Sequence, residues 1–142
     1  MALSGCAALL PDTHEKVIPE TIAEAEVGAS EVSVGTGWEG FSKRIRVHLS
    51  FETDEITQDQ VTRSLATVSE GLGRNSQSKL VVAFLGRSAE PAGGVEETLQ
   101  ELNRQLGRSG DGVVDGEDAI LIFSSGKELQ EFVSDLRDAG LL

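Results

Sequence analysis

Lys43-Arg44-Ile45-Arg46-Val47-His48-Leu49-Ser50-Phe51-Glu52 alternates between apolar and polar side chains without a break. A strand's side chains point to opposite faces at every step, so Ile45, Val47, Leu49 and Phe51 share one face and Arg44, Arg46, His48 and Ser50 the other. Such a strand is covered on one side and solvated on the other, which predicts a two-layer arrangement. Just upstream, Glu31-Val32-Ser33-Val34-Gly35-Thr36 alternates in the same way. Between the two lies the turn-rich Gly35-Thr36-Gly37-Trp38-Glu39-Gly40. The expectation is an antiparallel hairpin closed by a long, glycine-rich loop.

Downstream the period changes from two to that of a helix. Over residues 57–72, Val61, Leu65, Val68 and Leu72 form one apolar stripe. Thr57 and Gln60 are spaced as a capping box, and Ile56 and Val61 as a hydrophobic staple. Lys79 to Leu85 is a continuous apolar run that predicts a central strand covered at least partly on both faces. Residues 95–106 carry Val95, Leu99, Leu102 and Leu106 in line and stop at Gly107. Residues 119–123 read as another buried strand. Ser125 and Glu128 then repeat the capping-box spacing ahead of Leu129, Phe132, Val133 and Leu136, and this helix ends at Gly140. Helices between strands are the mark of crossover connections. The predicted fold is α+β (α/β-like), a two-layer sandwich with a single mixed sheet in the order β-β-α-β-α-β-α. Residues 22–27 fit strand by alternation and helix by their Ala and Glu content.

Size and charge narrow the function classes. A chain of 142 residues, 39% hydrophobic and 25% charged, fits one globular domain. No apolar run approaches a membrane-spanning helix. The formal net charge of −12 repels nucleic acid and anionic lipid headgroups, so no nucleic-acid partner is expected.

The single cysteine, Cys6, closes the string Leu3-Ser4-Gly5-Cys6. This string resembles the lipobox of bacterial lipoproteins: Leu, two small residues, then Cys. The resemblance implies that Cys6 is acylated and becomes the first residue of the mature chain. It also implies an extracytoplasmic protein, anchored by lipid to the bacterial membrane. A signal peptide carries a basic and an apolar region before the cleavage site, and only Met1-Ala2 stand before this one. The resemblance therefore implies that those regions lie upstream of Met1. One acyl chain binds a bilayer reversibly, whereas two or more anchor stably. On this reading residues 1–6 are the remnant of the signal and lipobox, 7–21 a flexible tether, and 22–142 the single domain.

The catalytic motifs are absent: there is no HExxH, CxxC or GxSxG. His14 and His48 have no spaced partner. Ile122-Phe123-Ser124-Ser125-Gly126-Lys127 runs from strand to helix, but Leu121 and Glu128 occupy the positions where a P-loop needs Gly and Ser or Thr, so it reads as a helix cap. Asp111, Asp115, Glu117 and Asp118 cluster in a glycine-rich loop. Against an EF-hand, Val113 and Ile122 fall where ligands are required, so the cluster reads as a solvated turn. No catalytic residue, metal or cofactor is expected.

Two surfaces remain. Arg44, Arg46 and His48 make a basic stripe on an acidic protein, suited to an acidic envelope partner or a second copy of the chain. If the last three strands run parallel, their C-terminal ends gather Thr53, Asp54, Glu55, Arg87, Ser88, Glu90, Ser124 and Lys127 along one ligand edge. The reading that fits best is a lipid-anchored lipoprotein with a small binding or interaction domain. The alternatives are a cytosolic regulatory or assembly module with a chance lipobox, and a small enzyme using the strand-edge loops.

Overall fold

The computed structural model describes residues 14–72, 78–88, 90–107 and 119–142, with side chains from Val17 onward apart from those of Glu39 and Ser42. Cys6, the first part of the expected tether and the acidic loop of Asp111, Asp115, Glu117 and Asp118 lie outside the described residues. The elements follow as α1 (His14–Ala25), β1 (Ala29–Glu39), β2 (Ser42–Phe51), α2 (Gln58–Leu72), β3 (Lys79–Leu85), α3 (Val95–Gln105), β4 (Ile120–Phe123) and α4 (Gly126–Asp138). The strands form one open sheet in the order β1-β2-β3-β4. β1 and β2 are antiparallel, β2 and β3 parallel, and β3 and β4 antiparallel. The protein is an α+β sandwich built on a single mixed sheet.

Register builds the core. Ile45, Val47 and Leu49 sit opposite Leu80, Val82 and Phe84, and Leu80 and Val82 sit opposite Phe123 and Leu121. Because the side-chain period is two, all of these residues fall on one face, and all are buried under the helices. The rings of Phe51 and Phe84 stack at a centroid distance of 6.2 Å, and Phe123 meets Phe132 of α4 at 6.4 Å.

α2 carries the predicted stripe of Val61, Leu65, Val68 and Leu72, all buried. Thr62, Ser64 and Thr67 are buried beside it, because α1 packs on one flank of α2 and α4 on the other. The Thr62 and Thr67 hydroxyls donate to the Asp59 and Arg63 carbonyls, whereas Ser64 Oγ is buried with no hydrogen-bond partner. The capping box at the start of α2 is present in both directions. The Gln60 N–H donates to Thr57 Oγ1 at 3.2 Å, and the Thr57 N–H to Gln60 Oε1 at 2.9 Å. At α4 the Glu128 N–H donates to Ser125 Oγ, while the Glu128 carboxylate accepts from the Ser124 N–H at 2.7 Å, one residue before the cap.

Three expectations need correction. The tether does not reach residue 21: α1 begins at His14 and carries Ile18 and Ile22 into the core, so the fold starts well before residue 22. The element order therefore gains a helix ahead of the predicted series. The ambiguous stretch that follows is helical as far as Ala25, and the chain then turns at Glu26 and Gly28, both at positive φ.

The hairpin has no long loop. Strand pairing continues through Gly35↔Arg46, Gly37↔Arg44 and Trp38↔Lys43 to Glu39↔Ser42, leaving Gly40 and Phe41 as the turn. Gly40, at φ 62°, supplies the left-handed conformation that tight hairpin turns use. Hydrogen bonding along the ladder outweighs the cost of glycine within a strand.

Finally, β4 runs antiparallel to β3, so the last three strands do not share a C-terminal end.

Candidate functional site

All four helices contribute to one hydrophobic cluster on the inner face of the sheet. The outer face carries the other half of the alternation. Arg44 and Lys79 are cross-strand neighbours there, as are Arg46 and Val81, His48 and Ala83, and Ser50 and Leu85. On β4 the outward residues are Ile120 and Ile122, 37% and 39% exposed. Arg46 is exposed, and Arg44 and His48 are half-buried. The stripe inferred from alternation is thus brought together: Arg44, Arg46 and His48 stand in line on β2, on a face that no helix of the described residues covers. Beside them, toward β4, lies an apolar strip of Val81, Ile120 and Ile122. Toward β1 the face is bare, because Gly35 and Gly37 have open space where a Cβ would stand. A hollow of about 130 Å³ is lined by Gly35, Thr36, Gly37, Arg44 and Arg46.

The second predicted surface comes apart. Arg87 and Ser88 follow β3, but Ser124 and Lys127 follow β4, which runs the other way, so the two pairs sit at opposite ends of the sheet. The Gly126 N–H donates to the Ser78 carbonyl at 3.0 Å, tying the start of α4 to the start of β3. Thr53, Asp54, Glu55 and Glu90 do lie with Arg87 and Ser88. There the backbone is knitted by Gly93 N–H to Asp54 O, Ile56 N–H to Gly93 O and Gly86 N–H to Glu90 O. A hollow of about 470 Å³ at this end is lined by Ser30, Glu31, Ser50, Phe51, Glu52, Gly86 and Arg87 and stands open to solvent. The Ser30 hydroxyl donates to the Ser50 carbonyl, so it is held in a backbone contact. An enclosed apolar pocket with convergent polar groups, which catalysis would call for, is not what this end offers.

Sequence reasoning missed the tip of the hairpin. Trp38, the only tryptophan, is 72% exposed, and Phe41 in the turn is fully exposed. The signal was present in the residues: Trp38 continues the alternation of Val32, Val34 and Thr36, and Gly40-Phe41 is a two-residue turn ahead of Lys43.

Among the described residues no cluster of His, Cys, Asp or Glu could hold a metal ion, and no helix is long and apolar enough to cross a membrane. No family model, curated protein or solved structure matches this chain.

Proposed function

We propose that this chain is a lipid-anchored extracytoplasmic lipoprotein whose α+β domain binds a partner at the bacterial envelope through the open face of its sheet. The observation that carries the binding role is the composition of that face. It combines the cationic Arg44, Arg46 and His48 with exposed Ile120 and Ile122, on a protein whose net charge is −12. A mixed apolar and cationic face fits a partner surface that is acidic and partly apolar, with charge complementarity speeding encounter and fixing orientation. The lipobox resemblance at Leu3-Ser4-Gly5-Cys6 supports the anchor.

The anchor is tested by the mass of the N-terminal peptide of protein purified from its native membranes. A peptide beginning at acylated Cys6 is expected. A free thiol behind Met1 or Ala2 would remove the lipoprotein and leave a cytosolic module as the better reading. The face is tested by Arg44→Glu with Arg46→Glu. The double variant is expected to melt like the parent and to lose association with envelope fractions; unchanged association would sink the assignment of this face.

A further inference from the structure

The ends of the sheet differ in chemistry. The hairpin turn lies at the end where β3 begins and β4 finishes, as the pairs Arg44↔Lys79 and Leu80↔Phe123 require. Trp38 and Phe41 project there, with Lys43, Arg44, Arg46 and Lys79 on the adjoining strands and exposed Lys127 at the start of α4. Acids share this end as well: Glu15 at the start of α1, Glu39 in β1, Glu70 near the end of α2, and Glu128 at the start of α4, whose carboxylate accepts from the Ser124 N–H. The opposite end is acidic: Glu31, Glu52, Asp54, Glu55 and Glu90 are exposed, with Arg87 among them.

The chain enters the fold at the cationic end. Ile18 of α1 packs against Gly71, near the end of α2, and Arg63 donates to the Ala25 carbonyl at 3.2 Å. α1 is therefore antiparallel to α2, and its first residue, His14, lies toward the end that carries Trp38 and Phe41. From Cys6 to His14 a chain reaches at most roughly 26–29 Å. A lipid on Cys6 would hold this end of the domain toward the bilayer.

We infer that the β1–β2 tip is a second membrane contact, with Trp38 and Phe41 entering the interface of an anionic bilayer and Lys43 and Arg44 meeting its headgroups. Tryptophan favours the headgroup level, where its ring is half apolar and half wet. Cations near the surface add attraction to anionic lipid, and the acidic far end is repelled from it, which orients the molecule tip-first. The inference rests on the lipoprotein reading for bringing this end to the membrane; the contact itself is tested without the lipid.

The experiment uses the full chain made without acylation and follows the emission of Trp38. Phosphatidylglycerol vesicles are expected to shift the emission to shorter wavelength, and bromine-labelled acyl chains to quench it. Phosphatidylcholine vesicles are expected to do neither. Lys43→Glu with Arg44→Glu is expected to weaken vesicle binding roughly tenfold or more. Phe41→Ser, at an exposed site, should weaken it while leaving the melting temperature unchanged. Emission unmoved by either vesicle overturns the proposal. So does a shift that grows with protein concentration alone, which would mean self-association, or an equal shift with polyglutamate, which would mean an acidic polypeptide. Cys6 found unacylated in native membranes would end the lipoprotein reading separately.

Discussion

Ile18 and Gly71 are in such close contact that a Cβ on Gly71 would meet Ile18 Cγ1 at 3.0 Å and its Cα at 3.2 Å. Gly71 stands next to last in α2, and its missing Cβ admits the backbone of α1 against that helix. Gly71→Val is expected to lower stability by roughly 1–3 kcal/mol through overpacking. Ile18→Ala is expected to cost about 2–5 kcal/mol, the range for deleting a fully buried aliphatic side chain. Urea denaturation measures both. Were the segment a tether, neither change would move the midpoint.

Ser64 offers a change of opposite sign. Its hydroxyl is buried within α2 and has no partner. Ser64→Ala removes an unsatisfied polar atom and raises helix propensity. The variant is expected to be more stable by about 0.5–1 kcal/mol. A fall in melting temperature would show that the hydroxyl is satisfied in solution.

The reciprocal cap at Thr57 and Gln60 makes a third case. Thr57→Ala removes the acceptor for the Gln60 N–H and is expected to cost about 1 kcal/mol. Gln60→Ala should cost less, because the freed Thr57 N–H lies in exposed surroundings that water can reach. Equal losses from the two would contradict this.

Acid titration gives the fourth. Arg104, and after it Gln105, donate hydrogen bonds to the Glu101 carboxylate, which lowers its pKa from 4.5 to about 2. A depressed carboxylate pKa contributes stability that is fully present above pH 4.5 and is lost as pH falls through about 2. The pair is exposed, so salt screens it and its effect on global stability is small. NMR titration should find Glu101 protonating near 2, and Arg104→Ala should return it toward 4.5. A Glu101 midpoint unmoved by that substitution would exclude Arg104 as the cause.

The elements legible in the sequence are those whose periodicity and end signals agree. α2 and α4 have both an apolar stripe and a cap, and Lys79–Leu85 is an unbroken apolar run between loops. The basic stripe was legible too, because alternation alone assigns Arg44, Arg46 and His48 to one face. α1 was hidden by Pro19, which lies beyond the first turn and removes a hydrogen-bond donor. Its signal was the spacing of Ile18, Ile22 and Ala25, which only packing against α2 turns into a helix. Gly35 and Gly37 masked the outer half of the hairpin for a related reason. They are poor strand residues whose pairing is imposed by the strong strand opposite. The direction of β4 could not be read, since its short apolar run carries no sign of which way it pairs.

α2 takes its two flanks from opposite termini, α1 on one side and α4 on the other. During synthesis this makes α4 the closing element. Until residues 126–138 have left the ribosome, the Phe123 ring lacks Phe132 and one side of α2 lies bare. At about 5–20 residues per second, several seconds separate α2 from the helix that completes it. In that interval the chain cannot close its core, and the apolar side of α2 that α4 will cover stays open to water.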